Sequence, residues 1–203
     1  MSASVASSRD AAASKAQWRD RFRAYRQGLS AASYRAHGTL IGTRALAHPA
    51  LAGASTVHVY WPQLEQGEVD TRPLIQALRL RGVDLVMPVV TSYDPADPTL
   101  EHRRYDGPSA LAANRWGIPE PTDTARVPPA ALDAVLVPAL GGDRRGNRIG
   151  HGAGYYDAFL AGLTVPRLLL AYAACVVPAV PAEPHDVPVT TIVTERDIIT
   201  PDA

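Results

Sequence analysis

The residues best suited to chemistry lie between Gly141 and Asp157, in the run Gly141-Gly142-Asp143-Arg144-Arg145-Gly146-Asn147-Arg148-Ile149-Gly150-His151-Gly152-Ala153-Gly154-Tyr155-Tyr156-Asp157. An apolar run ending at Val137 precedes it and a helical run follows, so the order is strand, loop, helix. Glycines at the alternate positions 150, 152 and 154 admit backbone conformations closed to other residues and let a ligand come close. A helix start offers unpaired N–H groups to an anion, and Arg144, Arg145 and Arg148 bring charge suited to phosphate oxygens. The spacing is neither of the two common glycine motifs: no Gly-Lys-Ser/Thr follows, and alternate glycines differ from Gly-x-Gly-x-x-Gly. Taken alone, the segment reads either as a phosphate cradle or as a flexible strand-to-helix connection with incidental arginines. The three arginines and Asp157 at the helix start favour the cradle.

A second group of cations stands far away in the chain. Trp18, Phe22, Tyr25 and Leu29 recur at intervals of three and four, the period of one helical face, with Ser14 as the cap at its start. Lys15, Arg19 and Arg26 fall on a neighbouring stripe of that helix, either as a solvated face or as a cationic edge facing a ligand.

The elements that must position these groups follow from the apolar pattern. A further helix is predicted from Ala31 to Ala47, closed by Pro49. Four short apolar runs predict strands over Thr56–Trp61, Val83–Val90, Ala134–Val137 and Arg167–Ala173. Helical stretches over Arg72–Arg81 and Tyr155–Leu163 separate most of them. The expected class is therefore α/β, a single domain with a mainly parallel sheet flanked by helices. Proline, glycine and polar residues are dense between Thr91 and Pro129, which predicts irregular structure or a small hairpin rather than a second domain.

Composition narrows the options. Apolar residues form 46% of the 203 and charged residues 20%, enough for a core and against wholesale disorder. Twenty basic and twenty acidic residues balance to zero net charge, which disfavours a dedicated nucleic-acid or membrane-surface binder. Cys175, the single cysteine, lies in an apolar run and reads as a buried thiol in a reducing compartment. No apolar stretch reaches the roughly twenty residues that span a bilayer. Met1 to Ser14 lack the apolar core of a signal peptide, so residues 1–13 read as a flexible tail, residues 14–203 as the domain, and the location as cytoplasmic.

The run Arg144 to Asp157 resembles the signature of the 5-formyltetrahydrofolate cyclo-ligases, also called methenyltetrahydrofolate synthetases. The resemblance extends to Lys15 with Arg19, Glu68-Val69-Asp70-Thr71, Trp116-Gly117-Ile118-Pro119-Glu120-Pro121, Glu183-Pro184-His185-Asp186 and Thr194-Glu195, in the family's order over nearly the whole chain. It implies a CoA transferase-like three-layer architecture. It also implies ATP-dependent closure of 5-formyltetrahydrofolate to 5,10-methenyltetrahydrofolate, with release of ADP and phosphate. By the same resemblance Lys15 and Arg19 would contact ATP phosphates, and Arg148, Ile149, Gly150, His151, Gly152, Ala153, Gly154, Tyr155 and Tyr156 would wrap the nucleotide. Asp157 and Asp186 would hold Mg²⁺. Trp61, Glu68 and Trp116 would bind the folate together with His151, Gly152, Ala153, Gly154 and Tyr155, and Arg148 and Tyr155 would serve the catalytic step. Each assignment has a plainer counterpart: core packing for Trp61 and Trp116, a surface carboxylate for Glu68, a helix-start carboxylate for Asp157, and a turn residue before Pro188 for Asp186.

Three positions depart from the family pattern. Gly142 stands where phenylalanine is usual, Ala153 where lysine or glycine is frequent, and Thr190 where aspartate is common. The implied partners are small molecules, reduced folate and ATP, acting on a monomer or weak oligomer without nucleic acid or membrane. Competing readings are a sugar-phosphate isomerase or acyl-transfer enzyme on a similar scaffold, and a phosphate or nucleic-acid binding module built on the basic residues between Lys15 and Arg26. No Gly-x-Ser-x-Gly elbow is present, which disfavours a serine hydrolase.

Overall fold

The computed structural model describes residues 13–94 and 96–201. The tail expected over residues 1–13 thus lies outside the described residues except for Ala13, which packs against the core.

Helix α1 (Lys15–Gln27) opens with a capping box in which Ser14 and Gln17 exchange side-chain-to-backbone bonds. It buries Trp18 and Phe22, whose rings lie 5.3 Å apart. Helices α2 (Ala31–Ala47) and α3 (Pro49–Ala52) follow, then β1 (Thr56–His58) and α4 (Arg72–Leu80). Strands β2 (Asp84–Ser92) and β3 (Thr99–Arg104) form a hairpin, and β4 (Leu111–Ala113) pairs with β5 (Pro119–Pro121) as a separate two-stranded ribbon. After β6 (Ala134–Val137), strands β7 (Gly141–Asp143) and β8 (Arg148–Ile149) form a tight antiparallel pair that leads into α5 (Tyr155–Leu160). The chain closes with β9 (Arg167–Leu170), β10 (Val176–Val177), β11 (Thr191–Val193) and β12 (Ile198–Ile199).

Among the described residues the main sheet has seven strands in the order β12-β11-β9-β6-β1-β2-β3. Its five inner strands run parallel, while β3 and β12 are antiparallel edges. Period-two alternation sorts the inner side chains into two cores. Ala134, Leu136, Leu168 and Leu170 join Trp18, Phe22, Ile41, Leu74 and Leu78 on one face. Val135, Val137 and Leu169 join Leu160 and Ile192 on the other. Helix, sheet and helix make three layers, as the α/β reading requires.

Several expected bounds shift for local reasons. Strand β1 stops at His58, and Tyr60, Trp61 and Pro62 leave the ladder where the sheet opens into a cleft. Val83 serves the end of α4, its N–H donating to Leu78 O at 3.1 Å, so β2 starts at Asp84 and runs on to Ser92 as half of a hairpin. Strand β9 ends at Leu170, because Ala173–Cys175 form a 3-10 turn. Helix α5 ends at Leu160, before Gly162 adopts φ +83°. The region between Thr91 and Pro129 holds more order than expected, namely β3 and the β4–β5 ribbon.

Candidate functional site

The C-terminal ends of the parallel strands open into a cleft of about 670 Å³. Open α/β sheets place ligand sites at this end. One wall carries the glycine-rich segment. Its base is the β7–β8 turn, held by Asp143, which is fully buried and accepts four hydrogen bonds. Oδ1 takes Arg145 N at 3.0 Å and Asn147 N at 3.1 Å, while Oδ2 takes Asn147 Nδ2 and Val180 N, each at 3.0 Å. Gly146 closes the turn at φ +87°, and a Cβ there would stand 2.5 Å from Val189 O. Gly142 is equally constrained: a Cβ would meet Asn147 O at 2.4 Å. The site of the missing phenylalanine is therefore occupied by neighbouring backbone in this chain.

The arginines of the segment divide. Arg144 and Arg145 are exposed outside the cleft, and Arg144 lies 3.9 Å from Asp197 near the sheet edge. This corrects the expectation that all three could serve a phosphate. Arg148 lines the cleft, is only 8% exposed, and donates through Nη2 to Asp157 Oδ1 at 2.7 Å and through Nη1 to Val187 O. Asp157 Oδ1 also accepts Val187 N at 3.1 Å. Strand β8, the start of α5 and the 183–189 segment are thereby knotted together.

Helix α1 delivers its cations to the same place. Arg19 Nε donates to Gly150 O at 3.0 Å across 131 residues. Lys15 Nζ donates to both Asp186 oxygens, at 3.0 and 2.7 Å, across 171 residues, and lies 3.3 Å from Glu183. Burial alone would raise the Asp186 carboxyl, but the Lys15 and Glu183 N–H bonds and the Lys15 charge outweigh it and hold the group below the usual carboxylate range. Arg26, by contrast, is buried beneath the site and donates to Ala139 O, so its part in the stripe is structural. Gly152, at φ +104°, would bring a Cβ within 3.2 Å of Arg19 Nη2; the glycine lets the guanidinium close on the loop. Gly154, at φ +77°, precedes an α5 of six residues, too short for a strong dipole, so the charge on this wall comes mainly from side chains.

The opposite wall is aromatic and acidic. Glu68 is 3% exposed; Oε2 accepts Gln63 N at 2.8 Å, and Oε1 lies 3.5 Å from His151 Nε2. It is a buried carboxylate, not a surface one. Trp61 lines the cleft while its ring lies 6.1 Å from that of Tyr105, so lining and packing coexist. Trp116 is 48% exposed and stands edge-on to Tyr93 at 4.7 Å and to Tyr155 at 6.0 Å, which rules out ordinary core packing. Tyr155 donates its hydroxyl to Ser92 O at 2.8 Å, tying α5 to β2. Burial raises its phenol, and the Arg115 charge works against that rise. Tyr156 also lines the cleft; its buried hydroxyl has no partner among the described residues, and its ring stands against His58 and Phe159.

Glu120, to which its residue type and spacing assign no role, also lines the cleft. Its Oε1 accepts Asn114 Nδ2 at 2.8 Å and Val90 N at 3.2 Å, and burial lifts its carboxyl above the ordinary range against those bonds. The only signal was its place in the Trp116–Pro121 motif. Glu183 and His185 line the cleft as well. Among the described residues no three His, Cys, Asp or Glu side chains converge as a metal cage.

Such a site, with cations beside a glycine loop and a donor-seeking carboxylate across an aromatic-lined cleft, suits an enzyme that brings a polyphosphate against a planar organic substrate. Comparison narrows the class. The profile of the 5-formyltetrahydrofolate cyclo-ligase family matches residues 11–195. The chain is 31% identical over 178 residues to the 5-formyltetrahydrofolate cyclo-ligase of Escherichia coli K12, covering 85% of this chain and 96% of that one. It is 34% identical over 134 residues to the Mycolicibacterium smegmatis enzyme of the same name, covering 61% and 66%. The solved structure of Aquifex aeolicus 5,10-methenyltetrahydrofolate synthetase superposes with a TM-score of 0.80 at 28% identity over 92% of both chains. The synthetase from Mycoplasma pneumoniae shares the fold at a TM-score of 0.71 and 22% identity.

The chain belongs to the 5-formyltetrahydrofolate cyclo-ligase family. Its activity is the ATP-dependent conversion of 5-formyltetrahydrofolate to 5,10-methenyltetrahydrofolate.

Proposed function

We propose that Lys15, Arg19, Arg148 and the backbone from Ile149 to Tyr156 hold the ATP phosphates, and that Glu68, Trp61, Trp116 and Tyr155 hold the folate beside them. The observation that carries this reading is the convergence of Lys15 and Arg19 on the loop and on Asp186 from 131 and 171 residues away. A formamide oxygen is a poor leaving group. Transfer of the γ-phosphoryl group to that oxygen activates the formyl carbon, N10 attacks it, and the N10 proton and phosphate depart as the ring closes. The protein's part is placement and charge stabilisation. Arg148, anchored by Asp157 and Val187 O, presents a fixed guanidinium to charge developing on the transferred group. Glu68 accepts from the amino and ring N–H groups of the pterin, and Tyr155 acts as a wall while its hydroxyl is committed to Ser92.

Asp157 and Asp186 fit a Mg²⁺ ion. Both are hard oxygen donors lining one cleft, and Asp157 Oδ2 has no partner among the described residues. The ion takes few protein ligands and completes its shell with water and phosphate oxygens. When bound, Mg²⁺ would neutralise phosphate charge; Lys15 would then share Asp186 with it. We further propose that residues 14–203 work as one domain, cytoplasmic and monomeric or weakly associated, with no nucleic-acid or membrane partner. No described helix is long and apolar enough to cross a membrane.

Purified protein with 5-formyltetrahydrofolate, Mg²⁺ and ATP is expected to generate the near-ultraviolet absorbance of the methenyl product with matching release of phosphate. A folded preparation that hydrolyses no ATP and gives no such absorbance defeats the proposal. An isomerase or acyl-transfer enzyme would produce neither the absorbance nor folate-dependent phosphate release in this assay.

A further inference from the structure

Arg115 is exposed in the loop between β4 and β5, next to the cleft-lining Trp116. Its guanidinium carbon sits 3.9 Å from the centroid of Tyr93 and 5.1 Å from that of Trp116. The Trp116 ring in turn stands edge-on to Tyr155. Arginines on or beside the edge strand β3 are matched with carboxylates: Arg103 and Arg126 with Glu101, Arg104 with Asp106. No described carboxylate lies within 4 Å of Arg115. A guanidinium lying over aromatic rings is held by its face, which leaves its edge N–H donors pointing outward. The site described above uses Lys15, Arg19 and Arg148 and assigns Arg115 nothing.

On the reading of the cleft as a folate site, we propose that Arg115 is a substrate-positioning residue that pairs with the carboxylates of the substrate's glutamyl tail. The substrate is a donor-rich bicycle, then an arene, then a glutamate with two carboxylates. Glu68 suits the donors, the Trp116–Tyr155 wall suits the arene, and a braced, uncommitted guanidinium at the rim suits the anionic end. Arginine matches a carboxylate through two parallel N–H bonds. Because Arg115 is at the surface, further γ-linked glutamates would continue into solvent beyond it.

The test compares wild type and Arg115→Ala on 5-formyltetrahydrofolate and on the methylamide of 5-formyltetrahydropteroate, which lacks the glutamate and carries no carboxylate. An exposed, braced ion pair is worth about a fivefold change in affinity. Arg115→Ala should raise KM for the folate by about fivefold and leave kcat and the KM for ATP within about twofold, the pattern of lost uniform binding. KM for the pteroate amide should not change, and Arg115→Lys should restore part of the loss. Equal losses on both substrates would mean that the residue only supports the aromatic wall, and no loss on the folate would mean no contact; either overturns the proposal. Calorimetric titration of both pteridines separates this from failure of the cyclo-ligase reading. If wild type makes no product yet shows the same fivefold contrast in Kd, Arg115 stands and the reaction falls. If wild type binds neither compound, both fall.

Discussion

Replacing Asp143 by asparagine should destabilise the protein by about 3 kcal/mol while hardly changing any side-chain volume. The aspartate is fully buried and its two oxygens accept from Arg145 N, Asn147 N, Asn147 Nδ2 and Val180 N. Asparagine keeps one carbonyl oxygen, which can serve the first pair. Its amide nitrogen then faces Asn147 Nδ2 and Val180 N, donor against donor. A buried donor left unpaired costs about 1–3 kcal/mol. Asn147 is only partly buried and can turn its amide to water, so Val180 N and the lost charge assistance carry most of the total. For a chain of this length each kcal/mol moves Tm by about 2–4 °C, so the expected drop is about 6–12 °C. Urea unfolding of the variant beside Glu65→Gln, an exposed carboxylate whose loss should stay within about 0.5 kcal/mol, isolates the effect. A shift for Asp143→Asn no larger than that control would refute the claim that this carboxylate staples the loop.

Acid should weaken the fold through two buried histidines. Burial drives the His58 imidazole well below its ordinary range, with the His102 charge adding to it, and burial pushes His102 down to about 4. Both are neutral when folded and bind protons when unfolded, so stability falls as pH drops from about 6.5 towards 4, by up to about 1.4 kcal/mol per pH unit for each histidine. Urea midpoints across that range should show the slope, and His102→Phe should flatten it. Cys175, buried and pushed up to about 12 mainly by that burial, should resist a thiol reagent at pH 8 until the protein unfolds; immediate labelling would contradict the packing. Gly152→Ala strains a φ of +104° and displaces Arg19, so KM for ATP should rise at least about tenfold; an unchanged KM would detach Arg19 from nucleotide binding.

Much of the scaffold was legible because it depends on local periodicity. Trp18 and Phe22 mark the buried face of α1, and Ala134–Val137, a continuous apolar run, is a strand buried on both faces. Strand β3, Thr-Leu-Glu-His-Arg-Arg, looks polar because it is an edge whose charges pair with one another and with Arg126. Strands β11 and β12 are three and two residues long, below what a periodicity can show. The cradle's residues were readable from type and spacing, but their division was not. Arg144 and Arg148 are four positions apart, yet a turn sends one to Asp197 and the other into the cleft. The burial of Glu68 and Glu120 depends on walls supplied by distant strands, and nothing adjacent to either residue signals it.

The Lys15–Asp186 bridge also bears on when the enzyme comes into being on the ribosome. Helix α1 is made early, yet its partners, Gly150 and Asp186, are made 131 and 171 residues later. Strands β1 and β2 can pair soon after synthesis, but the end of the cleft walled by Lys15 and Arg19 stays open until the 183–189 segment emerges. Trp18 and Phe22 must meanwhile wait without late-made neighbours such as Gly141 and Cys175, which stand beside Phe22, and exposed aromatic surface of that kind is what chaperones bind. Nascent chains stalled before residue 183 should therefore hold most of the sheet and no nucleotide.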